Sequence, residues 1–327
     1  MLPARCIRRR KRPTPTSTID EPVATDAVTG ATSYTGRFIA ERLVARGRRV
    51  IDLTRDPRAP HPLGDLAVSA ALDFDHADRL SRTLEGVDTL YNTFWIRFER
   101  GPITYRWAVE RSQLLIAAAE RAGVRRIVHL SVINAAPDAP TAYFRAKAAV
   151  EESLARSSVP HGIVRPTVTF GPADILVNNL AWTLRRLPVF GIPGDGRYPI
   201  QPIHIDDIAD LAVQVGSISE SVIVDAAGPD IFTFNEFVAL VREAVGSRAM
   251  VVHLPVWAAL AGASLIGLVV RDAVLKRDEV TELRSKLMVS AEPPTGTVRL
   301  ADWLAGQTDN LGRRWASELD RHFRRGD

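Results

Sequence analysis

Val28-Thr29-Gly30-Ala31-Thr32-Ser33-Tyr34-Thr35-Gly36 is the stretch whose reading decides the fold. The short apolar run Ala27-Val28 enters a glycine turn. Phe38, Ile39, Leu43 and Val44 then recur at helical spacing, and Gly47 closes that helix as its C′ residue. A glycine turn between strand and helix lets backbone N–H groups approach a pyrophosphate at the positive end of the helix. Some of the torsions and contacts this needs are open only to glycine. The spacing is Gly30-x-x-Ser33-x-x-Gly36, with no acidic residue before Glu41 and a serine where a third glycine is usual. Two glycines alone also fit an ordinary tight turn. Their place, after a first strand and at the start of a helix, favours a dinucleotide site.

Working outward, short apolar runs alternate with helical patterns from Ala24 to Arg126. That alternation indicates βαβ units and a parallel sheet. Further strands are expected at 50–54, 67–72, 87–93, 126–131 and 161–165, with helices over 107–122 and 142–156. This is the order of a Rossmann-type, doubly wound α/β fold, whose ligand crevice lies beyond the carboxyl ends of its strands. After Pro166 the pattern loosens. Residues 190–196 read as loop, Asp206 as the cap of a helix, and 221–226 as a strand. The expected organisation is a leader over 1–22, a nucleotide domain over 23–170 to which 199–226 returns, and a smaller, mostly helical substrate lobe from 171–198 and 227–327.

Charge and composition exclude other classes. Hydrophobic residues make up 46% of the 327-residue chain, too many for a largely disordered protein. The net charge of +4 lies in the leader, where Arg5, Arg8, Arg9, Arg10, Lys11 and Arg12 precede the first acid, Asp20. Without those six charges the remainder is slightly acidic, so no nucleic-acid partner is expected. The leader reads as disordered, and it has no apolar stretch of the kind a secretory signal carries. The single cysteine, Cys6, precludes an internal disulfide and suits a reducing cytoplasm. Residues 256–270 are uncharged and mostly apolar, yet fewer than the ~20 needed to span a membrane. A buried helix or a lid over an apolar ligand is the expected role. A membrane-surface helix wants cations on its polar face, and the stretch itself has none. Peripheral apolar contact stays open, and oligomeric state is not encoded.

Three residues carry candidate chemistry. Tyr143 and Lys147 lie four apart on one helical face, where a lysine cation can lower a phenol toward neutrality and make it an acid/base. Ser131, ending the preceding strand, can orient a substrate oxygen across the crevice. At the second strand end, Thr54-Arg55-Asp56 puts an arginine where the extra phosphate of NADP would sit, while Asp56 leaves NAD open. His204 and Asp207 read as structural rather than as metal ligands, and no metal is expected. Arg185 and Arg186, with Asp195, fit a face toward a polar substrate and a solvated surface equally well.

Val28-Thr29-Gly30-Ala31-Thr32, His129-Leu130-Ser131, Tyr143 with Lys147, Val164-Arg165-Pro166-Thr167 and Pro202-Ile203-His204-Ile205-Asp206-Asp207-Ile208-Ala209 together resemble the short-chain dehydrogenase/reductase superfamily. Within it the chain is similar to the atypical and extended branches: epimerase-like and NmrA-like proteins and the nucleotide-binding accessory subunit of respiratory complex I. The resemblance implies that Gly30, Thr32, Ser33, Tyr34, Thr35 and Gly36 surround the pyrophosphate, Arg55 the adenosine phosphate, and Asp73 and Phe74 the adenine. It implies that Lys147 holds the nicotinamide ribose and assists Tyr143, that Ser131 orients substrate, and that Pro166 and Thr167 line the nicotinamide pocket. Phe94 and Trp95 stand where many members carry small residues. The activity implied is an NADP-dependent oxidoreductase or epimerase acting on a small molecule; the alternative is a non-catalytic redox sensor or assembly partner. Arg55→Ala is expected to remove a preference for NADPH over NADH, measured as the ratio of the two dissociation constants; an unchanged ratio refutes the assignment.

Overall fold

Because apolar runs too short for helices alternate with helices that carry one apolar face, the chain builds a sheet covered on both sides. The computed structural model describes residues 23–58 and 61–322; the leader over 1–22 with Cys6, and the end of the expected C-terminal lobe, lie outside the described residues. In chain order the first half comprises β1 (Thr25–Thr29), α1 (Tyr34–Ala45), β2 (Arg49–Thr54), β3 (Ala67–Ala71), α2 (Ala77–Thr83), β4 (Thr89–Asn92), α3 (Tyr105–Arg121), β5 (Arg126–Leu130), α4 (Ala142–Arg156) and β6 (His161–Pro166). Then come β7 (Val168–Phe170), α5 (Leu176–Arg186), β8 (Val189–Pro193), β9 (Pro199–Ile200), β10 (Pro202–His204), α6 (Ile205–Gly216) and β11 (Val222–Ala226). The remainder is β12 (Phe232–Thr233), α7 (Phe234–Ala244), β13 (Met250–Leu254), α8 (Val256–Val270), α9 (Arg277–Arg284), α10 (Leu300–Ala305) and α11 (Glu318–His322).

A seven-stranded sheet runs in the order β11-β6-β5-β4-β1-β2-β3, with every neighbouring pair parallel. This is a Rossmann-like doubly wound sheet, and residues 222–226 return to its edge beside β6. One face is covered by α1 and α6, through Phe38, Ile39 and Leu43 packed with Ile208, Ala209 and Ala212. The other is covered by α2, α3 and α4, through Leu80, Leu115, Ile116, Val150 and Leu154. A separate apolar cluster joins α5, α7 and α10 through Leu180, Leu184, Phe237, Val241, Leu300 and Leu304.

Most of the expected strands and helices fall within a residue or two of the observed ones, and α4 coincides with 142–156. Four expectations need correcting. The fourth strand stops at Asn92, and Thr93 turns back to bond β1. Within 190–196, expected as loop, residues 190–193 belong to β8, which pairs in parallel with β13 as a short two-stranded ribbon whose end tolerates Pro193. The cap of α6 is His204, whose Nδ1 accepts from the Asp206 N–H at 3.2 Å. Asp206 instead sits in the first turn, its carboxylate 2.7 Å from Arg42 on α1. Finally, α8 forms over the expected residues but is not buried: Ala259 and Ala263 face inward, while Trp257, Leu265, Leu268 and Val269 are exposed.

Phe237 anchors the second cluster and is fully buried. Phe237→Ala is expected to lower unfolding free energy by about 3–5 kcal/mol through lost burial and a residual cavity, read from urea denaturation. A loss below about 1 kcal/mol contradicts this account of the second core.

Candidate functional site

The crevice at the carboxyl ends of β1, β4 and β5 is assembled from the glycine turn outward. Gly30 adopts a left-handed φ of +65°, and a Cβ on Gly36 would stand 2.1 Å from the Gly30 carbonyl oxygen. Helix and turn can touch only because neither residue has a side chain. Ser33 is the N-cap of α1 with no side-chain capping bond, and the first turn holds no acid. The amide-rich, uncapped helix start is therefore presented to an anion. The Ala31 N–H donates to Asp52 Oδ1 at 2.6 Å, so the acid within β2 holds the turn rather than reaching for a ribose. Burial raises the Asp52 carboxyl above its ordinary range, against the Ala31 N–H and the nearby His61. Thr32 and Ser33 are exposed and Thr35 half-buried. Tyr34 turns its ring inward, with its hydroxyl buried and unpartnered. The Arg321 guanidinium lies 5.2 Å from the centre of that ring and donates to the Ala173 carbonyl at 2.6 Å.

At the adenosine end Arg55 and Asp56 are both exposed just past β2. The Asp73 carboxylate is engaged locally, accepting from the Asp75 and His76 N–H groups at 3.2 Å, and the His76 ring holds it below the usual carboxylate range. Phe74 packs against Phe94, ring centres 5.1 Å apart, which in turn meets Trp107. Phe94 is thereby drawn into an aromatic wall at this end.

Ser131, Tyr143 and Lys147 come together at the end of β5. Lys147 is buried; its Nζ donates to the Leu130 carbonyl at 2.7 Å and lies 4.3 Å from the centre of the Trp95 ring. Burial pushes Lys147 down to about 7. The Ser131 hydroxyl and the Trp95 indole nitrogen are buried without hydrogen-bond partners. Beside them His129 is fully buried and bonded to Asn92 at 3.2 Å, and burial, with the Lys147 charge, lowers its imidazole well below the ordinary range. The Tyr143 ring meets Trp95, Tyr105 and Phe144 edge-on. The expected lowering of its phenol by Lys147 is not found: burial raises it, the Glu282 charge adds to the rise, and Arg97 partly opposes it. The reason is geometric, since Lys147 points at a carbonyl and an indole face rather than at the phenol. Pro166 accepts from the Ile133 N–H and Thr167 donates its N–H to Ala226, which places both at the far wall, where β6 ends.

Residues from the C-terminal part complete the crevice. Glu282 on α9 is buried and accepts from the Thr141 hydroxyl at 2.8 Å, and burial raises it to about 7. Arg97, in the loop after β4, pairs with Glu279 on α9 at 2.6 Å and with Glu318 on α11. None of these was assigned to the site from sequence; the available signal was Glu279 and Glu282, about one turn apart on a short helix of mixed charge. Arg185 and Arg186, open in the sequence to a substrate-facing or a solvated reading, donate to the carbonyls of Thr308, Leu311, Gly312 and Arg313 and pin that loop. His204 and Asp207 have structural partners; Asp207 accepts from the Thr297 and Val298 N–H groups. Among the described residues no cluster could hold a metal ion. A groove of about 720 Å³ between Asn134, Asp138, Arg165 and Ser290 includes none of the expected site residues.

The glycine cradle, the uncapped helix start and the unpartnered Ser131 hydroxyl fit a dinucleotide, and the comparisons agree. Residues 30–173 match the model of a family described as NAD(P)H-binding. The chain is 25% identical to the mitochondrial NADH dehydrogenase (ubiquinone) 1 alpha subcomplex subunit 9 of Arabidopsis thaliana, over 70% of this chain and 60% of that one. It is 26% identical to the 4-hydroxy-2-methyl-3-oxo-4-farnesyl-3,4-dihydroquinoline-1-oxide ketoreductase of Stigmatella aurantiaca, over 73% of this chain and 78% of that one. The NADPH-dependent quinone oxidoreductase of Escherichia coli, solved with NADPH, has the same fold, with a TM-score of 0.70 at 20% identity over 86% of this chain and 98% of that one. The chain spans about three fifths of the length of the respiratory-complex relatives it matches.

A lysine whose folded pKa lies below its unfolded value destabilises the fold while it must stay charged. That cost is full below about pH 7 and is relieved as pH rises from there toward the ordinary lysine range. The stability difference Lys147→Met minus native is therefore expected to shrink between pH 7 and 9, read by denaturant unfolding at each pH; a constant difference contradicts the burial of a titrating lysine.

Proposed function

From a chain whose residues 30–173 form an NAD(P)-binding domain and whose homologues include a complex I subunit and a ketoreductase, we propose an NADP-dependent reductase of a small carbonyl or lipid-like substrate. The observation that carries this reading is the convergence of an unpartnered Ser131 hydroxyl, Tyr143 and a buried Lys147 at one strand end. The turn over Gly30–Gly36 and the α1 N-terminus hold the pyrophosphate, Thr32, Ser33 and Thr35 beside it, and Arg55 selects the adenosine phosphate. Phe74 walls the adenine with Asp73 at its edge, and Pro166 and Thr167 line the nicotinamide end. When bound, the cofactor supplies or accepts a hydride. Ser131 donates to the substrate oxygen, and Tyr143 gives that oxygen its proton. Lys147, once Trp95 moves off it, stabilises the phenolate that remains. Glu282 faces Tyr143 from the C-terminal side and marks where the second lobe, 171–198 and 227–327, meets substrate. The same hydride chemistry run transiently makes an epimerase or isomerase. The lone cysteine accords with a reducing compartment such as the cytoplasm.

A second reading, a non-catalytic sensor or assembly partner, is favoured by Trp95 resting on Lys147 and by the raised Tyr143 phenol. One experiment separates the two. Native chain with NADPH and a panel of carbonyls and quinones is expected to lose nicotinamide absorbance, and Tyr143→Phe to abolish that loss while binding NADPH normally. Turnover retained in Tyr143→Phe removes the mechanism, and tight binding with no turnover of any substrate supports the second reading.

A further inference from the structure

We propose that the outer face of α8 is a membrane-docking surface that seats this chain on an anionic bilayer, independently of whether it turns over a substrate. A helix at the surface of a water-soluble protein turns its apolar stripe inward. Here the order is reversed. The residues that face the protein on α8 are the small Ala259 and Ala263, laid on the β8–β13 ribbon. Val256, Leu260, Ile266 and Val270 are half-buried at the flanks, but four large residues face out: Trp257 is 75% exposed, Leu265 66%, Leu268 77% and Val269 79%. At the helical repeat these four fall within an arc of roughly 120°. No charge interrupts the helix between Val256 and Val270. A contiguous exposed apolar patch of this kind marks a contact surface.

Polar chemistry identifies what covers it. A protein partner, or a second copy of this chain, would find almost nothing to bond, because protein interfaces carry a hydrogen bond for every ~100–200 Å². The one side-chain hydroxyl on the helix, Ser264, is spent on its own Leu260 carbonyl at 2.8 Å. A lipid phase asks for no such partners. The helix has 15 residues, short of the ~20 that span a bilayer, and among the described residues no helix is long and apolar enough to cross one. It therefore lies in the interface, with Trp257 at the headgroup level, where indoles are favoured.

The cations an interfacial helix needs come from neighbouring segments. Arg271 is exposed where α8 ends, and exposed Arg277 and Arg284 line a groove with Val256 where α8 begins. Most carboxylates of the same stretch turn inward: Asp272 accepts from the Trp315 indole and from the Glu318 and Leu319 N–H groups, Glu279 pairs with Arg97, and Glu282 bonds Thr141. Asp278 alone among these acids is exposed beside the arginines. The rim is thus net positive at both ends of an apolar face, the pattern that binds anionic lipid.

The test is sedimentation of the full chain with phosphatidylcholine vesicles, with and without phosphatidylserine, against a Trp257→Ser/Leu268→Ser variant and an Arg277→Gln/Arg284→Gln variant. Both pairs are exposed, and unchanged NADPH affinity and thermal unfolding check that the variants fold. The native chain is expected to pellet with phosphatidylserine vesicles, the apolar variant to lose about tenfold or more in partitioning, and the arginine variant to lose its preference for anionic vesicles. Equal sedimentation of native and apolar variant, or none of either, overturns the proposal. So does light scattering that shows a native dimer which the apolar variant dissolves, since the patch would then belong to a second copy.

Discussion

The whole site hangs on one steric constraint, the contact between the α carbon of Gly36 and the carbonyl of Gly30. A methyl group there would stand 2.1 Å from oxygen, so the helix can begin on top of the turn only with glycine in both places. That contact aims the positive end of α1 into the crevice. Neighbouring bonds then fix the turn relative to the sheet: Gly30 N–H to the Leu53 carbonyl, Ala31 N–H to Asp52, and the Thr93 and Phe94 N–H groups to the Thr29 hydroxyl oxygen. The last pair fastens the loop after β4 to β1. Through that loop Phe94, Trp95 and Arg97 acquire their positions. Holding Asp52 in the interior costs free energy, visible in its raised carboxyl, and the cost is offset by the short bond to Ala31. With Asp52 spent on the turn, the exposed strand end Arg55-Asp56 is left to meet a ligand.

What was legible in the sequence follows from how local its causes are. A parallel strand buried on both faces is a short apolar run, and a covering helix is a 3.6-residue stripe, so β1 to β6 and their helices could be read directly. The near half of the site was legible for the same reason: Ser131 ends a strand, and Tyr143 and Lys147 share one helical face. The far half depends on pairings across long separations. β8 could not be read because its pleat exists only beside β13, some sixty residues on, and its own glycine and proline signal loop. Arg185 and Arg186 read equally as substrate-facing or solvated until the 308–313 loop arrives to take their donors. Glu282 becomes part of the crevice only by reaching Thr141, 141 positions earlier. α8 was legible as a helix but not as an exposed one, because composition reports hydrophobicity and not what stands beside it.

The same burial acts on both partners of the expected acid/base pair. It drives Lys147 down and Tyr143 up, toward the neutral form of each. The cleft is buried and aromatic around Tyr143, walled by Trp95, Tyr105 and Phe144, and there a charge that a ligand introduces is screened less than in water. The expectation of a phenol tuned by an adjacent lysine took spacing for direction. Four residues along a helix bring two side chains to one face, but the Leu130 carbonyl offered the ammonium a better partner than the phenol did.

Charge sorting in residues 271–284 ties the cleft to the outer surface. Within one turn of α9, Glu279 and Glu282 point toward Arg97 and Thr141, while Arg277 and Arg284 stay in solvent. An amphipathic helix is usually divided into apolar and polar sides. α9 instead turns two of its three acids inward and keeps both bases, with Asp278, in solvent, while Val280 is buried. Inverting that division would turn an arginine toward Arg97 and take away the Glu279 carboxylate with which Arg97 pairs, leaving like charges face to face. The Glu279–Arg97 pair and the burial of Val280 together hold α9 in this orientation. α8 joins α9 through the short 271–276 segment, which Asp272 anchors to Trp315, so the charge-sorted helix and the exposed apolar helix share one anchor beside the cleft.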